Sequence, residues 1–148
     1  GELVVFDMGA MLDGYCSDGT RTFATGEPGE PARQAYETVR EAQEAALGAV
    51  RAGIGGEELD GVARGAIEAA GYGERFGHGL GHGVGLEIHE EPMFHRSSTG
   101  SLPLGTVVTV EPGVYLPGLG GVRIEDMVEI TADGAREIPR STKELVVL

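Results

Sequence analysis

Histidine is concentrated in one glycine-rich part of this 148-residue chain. Three of the four histidines, His78, His82 and His89, lie within twelve residues of one another. A lone histidine is usually a hydrogen-bonded structural residue, whereas three in such a stretch indicate a binding or catalytic site. The spacing of His78 and His82 resembles the zinc helix motif H-E-x-x-H. That interpretation fails because Gly79 stands where the motif has Glu, and the alternating glycines would destabilise a helix.

Two aspartates form the second candidate group. Asp13-Gly14 is a two-residue hairpin turn signal, and pairing around it places Asp7 opposite Thr20 and Gly9 opposite Asp18. Both aspartates then lie on the same face of the hairpin, about 7–8 Å apart at the backbone. Asp is depleted in strands, so two on one face among apolar residues indicate a cation site, with glycine leaving room for the ion. The alternative for either aspartate alone is a solvated outer face.

Two glutamates complete a set of metal-binding side chains. Glu111 and Glu125 each lie in or just beyond a β-branched run, and either one alone could be a surface residue at the end of a strand. Arg123 shares a face with Glu125 and could pair with it. Four carboxylates and one imidazole suit Mn²⁺, Co²⁺ or Fe²⁺ and are too many for one tetrahedral Zn²⁺. Such a set suits two metal ions about 3.5–4 Å apart, which activate water and polarise a carbonyl.

Charge and composition exclude several classes of function. The formal net charge of −13, from 24 acidic against 11 basic residues, argues against nucleic acid as a partner. The single cysteine, Cys16, rules out an internal disulfide framework and fits a reducing compartment. No apolar run approaches the roughly 20 residues that span a bilayer, so we expect no membrane association.

The order of predicted elements places these residues in one α+β domain over residues 1–148. Periodicity predicts a hairpin, then two helices, then strands, with a further turn at Asp133-Gly134. The predicted bounds are a hairpin over Leu3–Thr25, helices over about Pro31–Ala52 (ended by Gly53) and Glu57–Ala70, and strands over Leu80–His89, Thr106–Glu111, Val122–Ile130 and Leu145–Leu148.

The motifs together resemble the pita-bread metallopeptidases, which have the creatinase/aminopeptidase-like fold. The resemblance covers essentially the whole chain and is closest to Xaa-Pro aminopeptidases and Xaa-Pro dipeptidases (prolidases). The matching segments are Asp7-Met-Gly-Ala, Tyr15-Cys-Ser-Asp18-Gly-Thr-Arg21-Thr22, His78–Glu90, Glu111–Tyr115, Arg123–Asp126 and Ser141–Leu145.

The resemblance implies a ligand set for two divalent metal ions. Asp7 would bind one ion, and Asp18 and Glu125 would bridge both. His82 and Glu111 would hold the other ion. The resemblance is most consistent with Mn²⁺, with Co²⁺, Fe²⁺ and Zn²⁺ as alternatives.

The resemblance also implies roles for residues around the ions. Glu111 would handle the proton of the attacking water as a catalytic residue. His89 would stabilise the tetrahedral intermediate and contact the substrate, and His78 would lie beside the substrate. Arg123 would orient Glu125 from outside the ligand set. His95 matches nothing in the family pattern and is interpreted as a surface residue.

The implied function is a metal-dependent exopeptidase that hydrolyses Xaa-Pro bonds in proline-containing peptides. The alternatives are an aminopeptidase without proline specificity and a non-catalytic peptide-binding module of the same fold. Family members carry a longer N-terminal stretch, so we interpret the chain as an N-terminally truncated catalytic domain, which alone could be inactive. The longer protein is expected to be a cytoplasmic homo-oligomer.

Overall fold

The α+β class predicted from the sequence is confirmed by the structure, a computed structural model that describes residues 1–138 and 141–148. A hairpin comes first, two helices follow, and strands fill the rest of the chain. The elements are β1 (Glu2–Leu12), β2 (Tyr15–Thr25), α1 (Glu30–Ala49), α2 (Gly56–Ala69), a short 3₁₀ helix (Gly73–Arg75), β3 (Gly81–Gly83), β4 (Glu90–Phe94), β5 (Val107–Val110), β6 (Gly113–Leu116), β7 (Gly120–Arg123), β8 (Asp126–Thr131), β9 (Gly134–Ile138) and β10 (Val146–Val147).

The N-terminal hairpin has the predicted register. Asp7 lies opposite Thr20 and Gly9 opposite Asp18 along the antiparallel pair β1 and β2. The turn residues Asp13-Gly14 both have positive φ, 51° and 87°, as a two-residue hairpin turn of matching twist requires. Strand β10 then adds to β2 in parallel and completes a three-stranded sheet.

The two helices form as predicted, but α1 ends three residues early. The chain leaves the helix at Val50, whose extended backbone (ψ 127°) turns a nearly fully buried side chain into the core. Gly53 does not end the helix; with φ 84° it shapes the turn that leads to α2. Among the described residues, no helix is both long and apolar enough to cross a lipid bilayer.

A five-stranded antiparallel sheet with the order β4-β3-β5-β8-β9 carries the second half of the chain. Burial of the apolar helix stripes against this sheet makes one core, because amphipathic helices are stable mainly through such packing. Core side chains include Tyr36, Val39, Leu59, Ile67, Leu80, Phe94, Val108, Val128 and Ile130.

The single strand predicted over Val122–Ile130 is wrong, because the chain changes sheets at Ile124 and Glu125. Strand β7 pairs with β6, whereas β8 pairs with β5 and β9. Between them, the Glu125 backbone N–H donates to the carbonyl oxygen of Thr20 on β2 at 3.0 Å. This long-range bond breaks the strand and holds Glu125 where the hairpin meets the larger sheet.

The strand predicted over Leu80–His89 is also wrong in extent, since only Gly81–Gly83 pairs regularly. The register with β4 shifts between His82 and Gly83, and the chain beyond Val84 forms a loop. Strands β4, β6 and β9 were not predicted. Pro or charged residues interrupt the apolar pattern of β4 and β9, and β6 is only four residues long between Pro112 and Pro117.

Close backbone packing at Gly81 gives the first prediction. A Cβ at this position would overlap the carbonyl oxygen of Thr109 on β5. We expect Gly81→Ala to lower the free energy of unfolding by about 1–3 kcal/mol, as overpacked cores do. The matched control is Gly65→Ala on the exposed face of α2, where nothing lies within 4 Å. The control should gain about 0.5–1 kcal/mol. Equal urea midpoints for the two variants would contradict the close approach.

Candidate metal centre

The hairpin and the sheet junction bring three carboxylates to one point. Asp7 on β1 and Asp18 on β2 share a face, and Glu125 approaches them from between β7 and β8. One oxygen from each of these three side chains lies within 4.8 Å of the other two. Three carboxylates at this distance repel one another unless a cation lies among them.

His82 and Glu111 face this cluster from the five-stranded sheet. His82 Nε2 lies 3.2 Å from Glu111 Oε1 and 3.8 Å from Asp18 Oδ2. The other ring nitrogen, Nδ1, is 2.9 Å from the carbonyl oxygen of Gly83. Because a carbonyl only accepts, Nδ1 carries a hydrogen, so Nε2 is the nitrogen that faces the cluster and would bind a metal ion.

Two buried threonine hydroxyls orient the carboxylates. Thr109 accepts from the His82 backbone N–H at 3.0 Å and donates to Glu111 Oε1 at 2.9 Å. Thr20 donates to Glu125 Oε2 at 2.6 Å. Neither threonine was singled out from the sequence. Thr109 could have been found from the alternation of side chains along β5, because this alternation places Thr109 and Glu111, the residue just after the strand, on one face.

Glu125 is the most perturbed acid of the cluster. It is nearly fully buried, and its Oε1 has no hydrogen-bond partner among the described residues. Burial and then the charge of Glu111 raise the pKa of Glu125 to about 8. Burial and the neighbouring Asp7 also raise the pKa of Asp18. An orphaned buried oxygen among acids whose ionised forms are disfavoured fits a cation site.

Arg123 neutralises part of this charge but does not pair with Glu125. Its guanidinium donates to the carboxylate of Asp7, to the hydroxyl of Tyr115 at 3.1 Å and to Thr20 Oγ1 at 3.2 Å. The direct ion pair between Arg123 and Glu125 that was considered from the sequence is therefore wrong, because the Arg123 guanidinium pairs with Asp7 instead. Any orienting effect on Glu125 passes through the Thr20 hydroxyl.

A second ionic network holds the backbone of Glu125 from behind. Arg21 donates to the Glu125 carbonyl oxygen at 2.6 Å and pairs with Asp126 at 2.5 Å. Gln43 and Lys143 bind the other oxygen of Asp126 at 2.7 and 3.0 Å. Burial raises the pKa of Asp126, but the hydrogen bonds from Arg21 and Lys143 outweigh it and lower the pKa overall.

The chain matches the model of metallopeptidase family M24 over residues 1–132. It belongs to family M24. It is 50% identical over 147 residues to an Xaa-Pro dipeptidase of Lactobacillus delbrueckii subsp. lactis, covering 99% of this chain and 40% of that protein. It is also 50% identical over 146 residues to the Xaa-Pro dipeptidase of Pyrococcus furiosus, covering 99% and 42%.

Solved structures confirm the pita-bread fold for this M24 chain. The Xaa-Pro dipeptidase from Bacillus anthracis superposes with a TM-score of 0.97 at 49% identity, over 99% of this chain and 41% of that one. An X-Pro aminopeptidase from Thermotoga maritima gives 0.95 at 43% identity, over 99% and 42%. The chain thus spans about two-fifths of the length of these relatives.

Family M24 implies a dinuclear metal site, and the residues of this M24 chain fit one. Four carboxylates and an imidazole converge, and one buried oxygen of Glu125 has no hydrogen-bond partner among the described residues. Hard oxygen donors with one nitrogen suit Mn²⁺-like ions. The candidate ligand groups are Asp7–Asp18–Glu125, His82–Glu111–Glu125 and Asp18–His82–His89.

The remaining sequence-predicted histidines lie around the cluster. The His89 ring is exposed, with its centroid 4.3 Å from that of His82. His78 is half-buried and is bonded through Nε2 to the Tyr115 hydroxyl at 3.0 Å. His95 is exposed, as expected. Tyr115 belongs to a matched motif but had been given no role.

A cleft of about 280 Å³ opens beside His82 and Glu111. Its wall includes the polar side chains of His78, Arg123 and His95 and the apolar side chain of Met93. The cleft therefore offers a substrate both apolar surface and hydrogen-bond donors next to the carboxylates. Its lining residues are His78, Gly79, Gly81, His82, Met93, Phe94, His95, Glu111 and Arg123.

The raised pKa of Glu125 gives a prediction for metal binding. Below about pH 8 its carboxyl holds a proton that must leave before both oxygens can bind a cation. We expect Mn²⁺ affinity to rise with pH by up to about tenfold per unit and to level off above that value. Calorimetric titration of the chain in two buffers of different ionisation enthalpy measures both the affinity and the protons released.

Two controls accompany this titration. Glu125→Gln removes the titrating group, so weaker binding with a flatter pH dependence is expected. In the metal-free protein, the free energy of unfolding should fall as pH rises from 4.5, the ordinary pKa, to about 8, because the unfolded carboxyl is already ionised. Constant affinity over this range in the wild-type chain would contradict the assignment.

Proposed function

We propose that this chain forms the metal-binding catalytic part of an exopeptidase that hydrolyses Xaa-Pro peptide bonds with two divalent ions, preferentially Mn²⁺. The observation that carries the proposal is the convergence of Asp7, Asp18, His82, Glu111 and Glu125, together with a buried Glu125 oxygen that has no hydrogen-bond partner in the described part of the chain. The names of the dipeptidase and aminopeptidase relatives support the proline specificity.

In this proposal the ligands divide between two ions. Asp7 would hold one ion, His82 and Glu111 would hold the other, and Asp18 and Glu125 would be shared between them. The overlap of the candidate ligand groups at Glu125 supports its bridging role. When bound, two such ions lower the pKa of water and polarise a carbonyl group.

Glu111 is proposed to carry the proton. Its Oε1 is fixed by the Thr109 hydroxyl, and its carboxylate borders the cleft. The carboxylate accepts a proton from the attacking water and delivers it to the nitrogen of the leaving proline when the C–N bond breaks. A carboxylate that is oriented in advance needs no reorganisation during this transfer.

The two histidines outside the proposed ligand set are assigned to the substrate. His89 is exposed beside His82, and its ring can donate a hydrogen bond to the oxygen that becomes negative during attack. His78 borders the cleft and supports the Tyr115 hydroxyl. The expected homo-oligomer and the cytoplasmic location stay predictions for the longer protein.

The decisive assay is Mn²⁺-dependent release of the N-terminal residue from an Xaa-Pro peptide, with a Met-Ala peptide in parallel. This chain and a longer form that contains it are tested. Cleavage confined to the proline peptide is expected, and Glu125→Ala should abolish it by removing a bridging ligand. Equal cleavage of both peptides would indicate an aminopeptidase without proline specificity. No cleavage despite bound metal would favour a peptide-binding module.

His89→Ala separates the proposed substrate role from metal binding. Loss of one hydrogen bond to the developing oxyanion should lower kcat by about 100-fold, with metal content unchanged. The comparison variant is His95→Ala, because His95 is exposed and lines the same cleft but belongs to none of the candidate ligand groups. Its kcat should fall much less than that of His89→Ala, at the same metal content. Loss of bound Mn²⁺ in His89→Ala would instead make His89 a ligand, as its proximity to Asp18 and His82 allows.

A further inference from the structure

Helix α2 carries a buried ion pair that the proposed chemistry does not use. Asp60 and Arg64 are four residues apart and are 1% and 7% exposed. Two parallel bonds join them, Nε to Oδ2 at 2.7 Å and Nη2 to Oδ1 at 2.9 Å. Burying such a pair has a large desolvation cost. A buried ion pair therefore often stabilises a protein no more than apolar side chains of similar size would. Its presence therefore requires another explanation.

The remaining hydrogen bonds of the pair all go to one irregular segment, Phe76–Leu80. Arg64 Nη1 donates to the carbonyl oxygen of Phe76 at 2.9 Å, and Nη2 donates to that of His78 at 2.8 Å. Asp60 Oδ1 accepts from the Leu80 backbone N–H at 3.1 Å. The pair thus binds the main chain at three alternate residues of a segment that has neither helix nor strand pairing of its own.

The guanidinium is also fixed in orientation. Its central carbon lies 4.1 Å from the centroid of the Phe76 ring, and the Phe76 and His78 rings meet edge to face at 5.0 Å. A planar fork stacked on an aromatic ring loses less freedom per hydrogen bond than a lysine would. Arg64 can therefore serve both carbonyl oxygens from one position.

The His78 side chain connects the Phe76–Leu80 segment to the metal centre through a chain of hydrogen bonds. Its Nδ1 faces the carbonyl oxygen of Gly79 at 2.8 Å, so Nδ1 carries the hydrogen and Nε2 accepts from the Tyr115 hydroxyl at 3.0 Å. That hydroxyl in turn accepts from Arg123. Arg123 is the guanidinium that pairs with Asp7.

We propose that Asp60 and Arg64 are positioning residues of the peptidase: they clamp the Phe76–Leu80 segment so that His78 keeps its tautomer and holds the Tyr115 hydroxyl against Arg123. The effect on turnover rests on the function proposed above, whereas the effect on His78 does not. The competing explanation is a purely structural pair that contributes only to the stability of α2.

The double variant Asp60→Asn/Arg64→Met separates these explanations. It leaves no unpaired charge, and the Asn side chain keeps an acceptor for the Leu80 N–H, which also donates to Phe94 at 2.7 Å. The released carbonyl groups border a cleft of about 430 Å³ in which water can replace the guanidinium. Arg64→Lys is the milder companion, and Arg40→Gln/Glu44→Gln removes a matched but solvent-accessible pair on α1.

The first readout is the ¹⁵N spectrum of His78 in the chain, assigned with a His78→Gln variant. We expect the wild-type chain and the α1 control to show one tautomer with hydrogen on Nδ1. The double variant should show averaged ring-nitrogen shifts, and Arg64→Lys should show a smaller change in the same direction. Unchanged His78 shifts in a folded variant would overturn the proposal.

The second readout is steady-state hydrolysis of the Xaa-Pro peptide with Mn²⁺ bound, measured on whichever of this chain and the longer form is active. The kcat of the double variant should fall by up to about 100-fold, which is the loss expected when a substrate-positioning group shifts by about 1 Å. The change in KM should be smaller, and the Mn²⁺ affinity should be unchanged. Full kcat with wild-type His78 shifts would show a structural pair only. If the His78 shifts change in the double variant but neither this chain nor the longer form hydrolyses the peptide, the result supports the clamp and contradicts the proposed function.

Discussion

Mutual repulsion among four carboxylates is the constraint on which the rest of this structure depends. Asp7, Asp18, Glu111 and Glu125 approach one another closely, and the Arg123 guanidinium pairs with Asp7 and lies 3.9 Å from Glu111. At such distances like charges destabilise the ionised forms, and Glu125 is the acid most affected. The threonine hydroxyls, the guanidinium and the backbone bonds around the cluster hold the acids in place against that repulsion.

Much of this arrangement could be predicted from the sequence because parts of it are set by local rules. Alternation along a strand and the Asp13-Gly14 turn determine the hairpin register, so Asp7 and Asp18 could be placed on one face without a structure. The amphipathic helices follow from the same kind of local periodicity. The four candidate carboxylates could be chosen by residue type, whereas the choice of His82 and the division of the ligands between two ions rest on the resemblance to the family.

The features that could not be predicted depend on contacts between distant segments. The break before Glu125 follows from a bond to Thr20, more than 100 residues earlier, whereas the local sequence reads as one continuous strand. A pair between Arg123 and Glu125 was one possible interpretation of their shared face, but the competing partner Asp7 lies on a different sheet. The burial of Arg64 likewise depends on a loop that residue periodicity does not describe.

The position of the cluster between two sheets has a consequence for cooperativity. Asp7 and Asp18 lie on the three-stranded sheet, whereas His82 and Glu111 lie on or beside the five-stranded sheet. An ion bound by these side chains would cross-link the two sheets and raise the free energy needed to open the hairpin by itself. In the metal-free protein, the amide hydrogens of the hairpin would then exchange faster than those of the core. In the metal-bound protein, the two sets would exchange at similar rates.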